Sequence, residues 1–282
     1  MQKQIIKLYL IFFICFIFFI LNNSYNNKYK GGSYLNNKIN DFIKQFDIYY
    51  INLDKCKKRK EYFNKTTAKI KEIYPNYNVN RFNAINGINI DKNQIDNIHN
   101  ICKKKKLKTL KPGQIGCFLS HYNIWEKKNI DKYLLILEDD INININIINK
   151  LYNIFPELPY DWDILLLGWR PIIKKDKRRL KYIHKCNKNI PISKHIDKTI
   201  VPFHGAYGYI VNNNFIKKIN KYINTKETCV PADDFLFKLN KNGCSGLEFK
   251  DKCLNIYNLR KPIINVYNSK SFTSNINRSE EC

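Results

Sequence analysis

In the stretch Leu134-Leu135-Ile136-Leu137-Glu138-Asp139-Asp140, an apolar run ends in three consecutive carboxylates. A short apolar run bounded by polar residues is typical of a buried strand. In an open α/β sheet, ligands bind just beyond the carboxyl ends of the strands. Three acidic side chains at such an end repel one another, and Mg²⁺ or Mn²⁺ held by carboxylates and substrate phosphates would compensate their charge. The alternative is an acidic turn whose carboxylates are solvated or cap a helix.

Strand and helix patterns alternate on either side of this run. Side chains that are β-branched or aromatic predict strands at 47–53, 80–87, 162–168 and 205–211. Apolar residues at helical spacing predict helices at 58–73, 113–128, 214–223 and 233–239. Isoleucine alternates with asparagine in 141–148, where periodicity leaves strand or helix open. The alternation predicts an α/β fold around a mostly parallel central sheet.

The composition is that of a globular protein with a large excess of positive charge. The 282 residues are 44% hydrophobic, and the formal net charge is +25. Such a charge raises the question of a nucleic-acid or anionic-membrane partner. The lysines are scattered among asparagine and isoleucine, a bias that an AT-rich genome also produces, and the densest basic runs, 103–106 and 174–179, are typical of solvated loops. The charge is therefore weak evidence for function, and no nucleic-acid partner is expected.

The N-terminus carries the pattern of a membrane anchor. An uninterrupted apolar run covers 8–21, and Lys3 and Lys7 precede it. With Ile5 and Ile6 it predicts a signal-anchor transmembrane helix over 1–21, retained because no small-residue cleavage site follows. A core helix is the less favoured alternative, because the run is apolar on every side. The predicted protein is therefore single-pass and type II, with a stem at 22–44 and a folded domain at 45–282 facing a lumenal or other extracytoplasmic compartment.

The cysteines can form disulfides if the chain crosses into an oxidising compartment. Of nine cysteines, Cys15 lies in the predicted anchor, and no Cys-x-x-Cys occurs, so zinc and redox motifs lack support. Some of the others are candidates for disulfides, namely Cys186, Cys229, Cys244, Cys253 and Cys282. Two stretches match the acceptor pattern for N-glycosylation, Asn64-Lys65-Thr66 and Asn277-Arg278-Ser279.

The order of the motifs along the chain resembles glycosyltransferase family 25, which includes lipopolysaccharide and procollagen galactosyltransferases. The most specific block runs from Pro112 to His121 and is followed by Trp125 and the acidic run. Further motifs, in chain order, are Tyr50-Ile51-Asn52-Leu53-Asp54 with Arg59, residues 81–87, residues 205–210, residues 231–236 and Ser274-Asn275-Ile276. Two residues depart from the family pattern: Asn86 stands where aspartate is usual, and Gln114 where glutamate is common.

The resemblance implies a GT-A type glycosyltransferase fold, with a single Rossmann-like catalytic domain over 45–282. It implies inverting transfer of a hexose, galactose or glucose, from a UDP-sugar to a hydroxyl. The acceptor would be hydroxylysine in a collagen-like protein or a hydroxyl of a glycan. The donor-binding residues expected from the resemblance are Asn52, Arg59, Ser120, His121, Glu138 and Gly205.

Cleavage of the sugar–phosphate bond leaves a diphosphate, and a carboxylate-held Mn²⁺ (or Mg²⁺) stabilises its growing charge as a Lewis acid. Asp139 and Asp140 are the predicted ligands, and His204 is a third candidate because imidazole is a common ligand. A surface role is the alternative for His204. If the strand continued through the acidic run, Glu138 and Asp140 would share one side and Asp139 the other, whereas a turn would change this.

A single displacement with inversion also requires a base for the acceptor hydroxyl. Asp233 and Asp234 are the predicted catalytic residues, with helix capping by Asp233 as the structural alternative. Two other functions stay open. A degenerate family member would bind nucleotide-sugar without turnover, as Asn86 and Gln114 suggest, and a basic nucleic-acid-binding protein would use the acidic clusters only structurally.

Overall fold

The computed structural model describes residues 35–104, 108–127, 131–171, 188–223, 229–243 and 253–266. The predicted anchor at 1–21, most of the predicted stem, the basic run at 174–179 and the motifs at 274–279 lie outside these residues. Within the described ranges, no helix combines the length and the apolar character that a membrane span requires.

An eight-stranded sheet forms the centre of the fold. In spatial order its strands are β2 (Val79–Asn83), β1 (Phe46–Asn52), β3 (Tyr133–Glu138), β8 (Phe203–Val211), β5 (Ile164–Pro171), β9 (Ile256–Leu259), β7 (Ile196–Lys198) and β6 (Ile190–Pro191). The pairs β1–β2, β1–β3 and β5–β9 are parallel, and the other four are antiparallel. Six strands therefore run in one direction and β8 and β7 run against them, which confirms the predicted α/β class with a mostly parallel sheet.

Seven helices surround this sheet in the described part of the chain. They are α1 (residues 35–43), α2 (Lys57–Ile73), α3 (Lys92–Lys104), α4 (Pro112–Glu126), α5 (Ile147–Ile154), α6 (Asn213–Ile223) and α7 (Ala232–Lys238). The undecided segment 141–148 is divided: β4 (Ile141–Ile143) pairs antiparallel with β10 (Ile264–Val266), and α5 begins at Ile147.

Strand β3 is buried on both faces, which explains its continuous apolar run. Leu135 and Leu137 belong to a core shared with α1, α2 and α5, whereas Leu134 and Ile136 belong to a core shared with α4, α6 and α7. Successive side chains of a strand point to opposite faces, so each position between two covered faces must be apolar. This packing fixes the carboxyl end of β3, where the acidic residues follow.

The two departures from the family pattern both serve as helix caps. The Gln114 side chain accepts a hydrogen bond from the Lys111 N–H (3.0 Å) at the start of α4. The Asn86 side chain accepts one from the Ile88 N–H (3.3 Å) at a 3₁₀ turn over Gly87–Asn89. An amide oxygen accepts such bonds as a carboxylate oxygen does. Both substitutions therefore retain the capping contact that the acidic residue would make.

A disulfide joins Cys102 in α3 to Cys229, three residues before α7. Their Cα atoms are 5.4 Å apart, and Cys56 is also disulfide-bonded. Sequence analysis named Cys229 as a candidate but did not single out Cys102. Cys253, another candidate, donates a weak hydrogen bond from its Sγ to the Lys218 carbonyl (3.8 Å). The Cys102–Cys229 bond anchors the segment that leads into the acidic residues of α7.

Replacing both partners, in Cys102→Ala/Cys229→Ala, is expected to lower the free energy of unfolding by about 2–4 kcal/mol. The bond spans 127 residues of chain, so its loss increases the conformational entropy of the unfolded state. Urea unfolding without reductant measures the difference. Cys253→Ala is the control and should cost less than about 1 kcal/mol, because that thiol closes no loop. Equal losses in the two variants would contradict a contribution from the cross-link.

Candidate active site

The acidic run forms a turn at the carboxyl end of β3. The strand ends at Glu138, Asp139 and Asp140 make the turn, and β4 begins at the next residue. The strand therefore does not continue through the acidic run, and the same-side arrangement expected of a continued strand does not apply. The end of β1, at Asn52, lies beside this turn because β1 and β3 are parallel neighbours.

Asp139 is buried, and two residues predicted to bind the donor hold it in place. Its Oδ1 accepts a hydrogen bond from Arg59 Nη1 (3.0 Å), and its Oδ2 accepts one from Asn52 Nδ2 (2.7 Å). Arg59 lies in the first turn of α2 and is itself only 4% exposed. The contact is a buried, charge-assisted pair, which is the strong kind. Arg59 and Asn52 thus orient the acidic turn.

A second network extends from Asn52 across the ends of β1 and β2. Arg81 donates from Nε to Asn52 Oδ1 (2.9 Å) and from Nη2 to Asp54 Oδ1 (2.6 Å). Asn83 Nδ2 donates to Asp54 Oδ2 (2.6 Å). Sequence reasoning did not select Arg81 or Asp54 as site residues, although both stand inside the family motifs.

Asp140 is the least satisfied carboxylate of the turn. Its Oδ2 is 3.8 Å from Arg59 Nη1, while its buried Oδ1 meets no hydrogen-bond donor in the described part of the chain. Burial and the neighbouring Glu138 raise the pKa of Asp140 to about 7, although Arg59 acts in the opposite direction. A buried carboxylate oxygen without a donor is a suitable ligand for a hard divalent cation. The residues present therefore fit a Mn²⁺ or Mg²⁺ ion, with Asp140 as the leading ligand.

The Glu138 carboxylate lies next to the His121 ring. The distance from His121 Nε2 to Glu138 Oε1 is 3.8 Å. Burial, followed by the charges of Asp139 and Asp233, raises the pKa of Glu138 to about 8. Burial lowers the pKa of His121 to about 4, against the charge of Asp233. His121 is therefore neutral at pH 7 and lies behind Glu138, almost fully buried.

The ring of His121 is fixed by two aromatic residues of the core. Its Nδ1 lies 2.9 Å from the Tyr209 hydroxyl, which also accepts a hydrogen bond from Trp125 Nε1 (2.9 Å). The His121 and Tyr209 rings stack with centroids 5.8 Å apart. These contacts direct Nε2 toward Glu138.

Ser120 holds α4 against the segment that follows β2. Its side chain is fully buried, donates to the Gly116 carbonyl (2.7 Å) and accepts from the Ile85 N–H (2.8 Å). A Cβ on Gly116 would lie 2.4 Å from the Ile85 carbonyl oxygen, so this close approach requires glycine. These contacts give Ser120 a structural position, and its predicted donor contact stays a prediction.

The second acidic pair begins α7 and reaches the same site. Asp233 Oδ2 accepts a hydrogen bond from the Gly205 N–H (2.8 Å), and Oδ1 accepts one from the Asp234 N–H (2.9 Å). His204 Nδ1 is 3.9 Å from Asp233 Oδ2, so this histidine lies beside the second acidic pair. Gly205 adopts a φ of 74°, and a Cβ there would meet the Tyr207 ring at 2.2 Å. Gly205 thus brings its N–H to Asp233 in a conformation that other residues rarely adopt.

The charge of Asp233 shifts the pKa of Glu138, the first carboxylate of the acidic run. Burial raises the pKa of Asp233, but the nearby His204 and the hydrogen bonds from the backbone N–H groups of Gly205 and Asp234 outweigh it, and the net pKa is lowered. Asp233 also raises the pKa of Glu138 and contributes to the raised pKa of Tyr207. Asp233 and Glu138, which lie far apart in the sequence, are therefore close enough in the fold for their charges to interact, and Asp234 is partly exposed.

The raised pKa values predict how stability depends on pH without divalent metal. A carboxylate whose folded pKa is raised binds more protons in the folded state, so stability falls as pH rises toward that pKa. The lowered pKa of His121 acts in the opposite direction, but only up to its unfolded value of 6.5. Between pH 6.5 and 8.5, Glu138 and Asp140 are therefore expected to make Tm fall in the presence of chelator.

Thermal unfolding across this pH range tests the prediction. The double variant Glu138→Gln/Asp140→Asn carries neither titrating group and should show a flatter profile than the wild-type protein. Matching slopes in the two proteins would assign the dependence to other residues.

Both acidic pairs of this site lie in the part of the chain that is similar to known proteins. A family model described as "Glycosyltransferase family 25 (LPS biosynthesis protein)" matches residues 45–236, which contain both acidic pairs. Procollagen galactosyltransferase 1 of Danio rerio is 27% identical over 133 residues, covering 45% of this chain and 20% of that protein. The procollagen lysyl hydroxylase and glycosyltransferase of Acanthamoeba polyphaga mimivirus is 26% identical over 200 residues, covering 67% and 21%.

A third relative carries a different description. The inactive glycosyltransferase 25 family member 3 of Homo sapiens is 32% identical over 71 residues, covering 23% of this chain and 12% of that protein. The chain thus spans about a fifth of the length of the first two relatives and less of the third.

Proposed function

The chain belongs to glycosyltransferase family 25, and we propose that it transfers a hexose from a UDP-sugar to a hydroxyl acceptor with inversion. The observation that carries the proposal is the acidic cluster at the carboxyl end of β3, where a buried oxygen of Asp140 has no donor among the described residues. The charge of Asp233 in α7 raises the pKa of the neighbouring Glu138. The name of the Danio rerio relative favours galactose as the sugar, and both names favour a procollagen-like acceptor, for which hydroxylysine is the proposed acceptor residue. Glucose and a glycan hydroxyl are the alternatives.

Mn²⁺ (or Mg²⁺) is the proposed cofactor. When bound, the ion supplies Lewis-acid stabilisation to the departing diphosphate. Asp140 would hold it through the buried oxygen that lacks a donor, and Asp139, held by Arg59 and Asn52, would contribute a remaining lone pair. His204, the third predicted ligand, stays a candidate, although it lies beside Asp233.

Asp233 is the favoured base for the acceptor hydroxyl. Its lowered pKa keeps it ionised at neutral pH, so it is ready to accept a proton. Its charge raises the pKa of Glu138 and contributes to the raised pKa of Tyr207, which supports a position near the acidic run. The N–H groups of Gly205 and Asp234 hold its oxygens in a fixed orientation, and Asp234 is the second candidate.

A catalytically degenerate transferase is the second candidate function, because one relative is described as inactive. The departures at Asn86 and Gln114 do not favour loss of turnover by themselves, because both side chains make capping contacts that aspartate or glutamate would also make. A degenerate protein would still bind UDP in the presence of metal.

We also propose that the catalytic domain faces an oxidising lumen of the endoplasmic reticulum, the Golgi or an equivalent compartment. The Cys102–Cys229 disulfide supports this location because such bonds persist in oxidising compartments. The apolar run at 8–21 supports a type II orientation, with membrane attachment through the N-terminus.

UDP release by the full chain tests the activity. A panel of UDP-sugars is offered with Mn²⁺ or with chelator, and with a hydroxylysine-containing collagen-like peptide or with buffer alone. Metal-dependent release that requires the peptide would support the transferase and identify its sugar. Calorimetry with UDP decides the other outcomes: metal-dependent binding without turnover supports the degenerate protein, and absence of binding contradicts both.

A further inference from the structure

We propose that Cys117, His121 and Glu138 form a second metal site, which binds a thiophilic cation such as Zn²⁺. One possible ligand atom from each side chain (a cysteine Sγ, an imidazole nitrogen and a carboxylate oxygen) lies within 4.8 Å of the other two. The set combines a thiol, an imidazole and a carboxylate, which favours Zn²⁺ over Mg²⁺ or Mn²⁺. The inference does not rest on the proposed transferase activity.

The backbone brings the three side chains together from two elements. Cys117 and His121 are four residues apart on α4 and therefore lie on one face of the helix. Glu138 is the last residue of β3 and approaches His121 Nε2 to 3.8 Å. The sequence showed no Cys-x-x-Cys, and the pairing of a helical Cys-x-x-x-His with a strand-end glutamate becomes visible only in the fold.

The surroundings of His121 match those of a metal-binding histidine. Such histidines engage a partner through the second ring nitrogen, which fixes the ring and its tautomer. Here Nδ1 contacts the Tyr209 hydroxyl (2.9 Å), and Trp125 holds that hydroxyl from the other side (2.9 Å). Nε2 is left on the side of Glu138, 3.8 Å from its Oε1, where it can bind a metal.

The site is accessible and needs little adjustment. His121 is buried, whereas Cys117 and Glu138 are partly exposed, so the site lies near the protein surface. Tetrahedral Zn²⁺ with bonds of about 2.0–2.3 Å separates its ligand atoms by roughly 3.5 Å. Small side-chain rotations close the remaining gap. With three protein ligands, the fourth coordination position of the metal stays open to water or to a bound small molecule.

Cobalt substitution in the full chain tests the site. Co²⁺ bound to a cysteine thiolate gives a sulfur-to-metal charge-transfer absorption that oxygen ligands do not give. We expect this absorption when Co²⁺ is added to the wild-type protein with its disulfides intact and the Cys117 thiol unoxidised, and we expect one equivalent of Zn²⁺ to remove it. Excess Mg²⁺ should leave it unchanged. Absence of the absorption in the wild-type protein would overturn the proposal without any variant.

Matched variants identify the thiol and separate this site from the one proposed at Asp140. Cys117→Ser should abolish the charge-transfer absorption, whereas Cys253→Ser, which changes a cysteine outside the proposed site, should retain it. Circular dichroism establishes that each variant is folded. Asp140→Asn should also retain the absorption while losing stabilisation by Mn²⁺. If a folded Cys117→Ser retains the absorption, or if Asp140→Asn loses it, the proposed site is wrong.

Discussion

Asp140→Asn is expected to lower kcat for UDP-sugar turnover at least about 100-fold while leaving Tm close to the wild-type value. The proposed metal contributes several kcal/mol of charge stabilisation in the transition state, and each 1.4 kcal/mol is about tenfold in rate. The fold loses little, because the buried Oδ1 of Asp140 meets no donor among the described residues. Burial and Glu138 already disfavour the ionised form, as its raised pKa of about 7 indicates.

Two further substitutions make this result specific. Asp139→Asn should lower both kcat and Tm, because it removes the carboxylate that Arg59 and Asn52 hold. Asp197→Asn removes a carboxylate that pairs with the exposed side chain of Arg260 and should change neither quantity strongly. Saturating Mn²⁺ should raise the Tm of the wild-type protein but not that of Asp140→Asn, because a ligand stabilises only the state that binds it. Wild-type kcat in Asp140→Asn would contradict the assignment of Asp140 as a metal ligand.

The sequence predicts which segments form strands and helices better than it predicts which strands lie next to one another in the sheet. The run at 134–140 predicts β3 because each of its apolar positions faces one of two cores, and α4 begins one residue before its predicted start. The position of β8 between β3 and β5, antiparallel to both, could not be read from periodicity. A strand pattern records which faces are covered and carries no information about the adjacent strand.

The candidate active site shows the same difference between local patterns and contacts over long distances in the chain. Sequence reasoning identified both acidic pairs, because carboxylates after a buried strand and at a helix start are local patterns. It did not identify what holds them, since Arg59 and Asn52 meet Asp139 across 80 and 87 residues of chain. It also gave no role in the site to Tyr209 and Trp125, which fix His121, because only packing brings the Tyr209 hydroxyl to the His121 ring and the Trp125 indole N–H.

Arg59→Met is expected to lower the free energy of unfolding by about 3–5 kcal/mol, the usual cost of leaving one member of a buried ion pair without its partner. Arg59 and Asp139 are both buried, and the change leaves Asp139 with Asn52 as its remaining partner among the hydrogen bonds described above. Arg59 also lowers the pKa of Asp140 and of Glu138, so its loss strengthens the repulsion within the acidic turn. Urea unfolding at pH 7.5 with chelator measures the change.

Two controls test this explanation. A substitution at an exposed lysine of α2 measures the effect of losing any positive charge from the helix, and a double variant measures the coupling between Arg59 and Asp139. Lys65→Met removes an exposed cation that pairs with Glu61 and should cost less than about 0.5 kcal/mol, because solvent screens that pair. Adding Asp139→Asn to Arg59→Met removes the uncompensated carboxylate and should restore a large part of the lost stability. If the double variant is as unstable as the sum of the two single variants, the energetic coupling between Arg59 and Asp139 is absent. Arg59 would then stabilise the fold through the packing of its side chain, and the acidic turn would need another counter-charge.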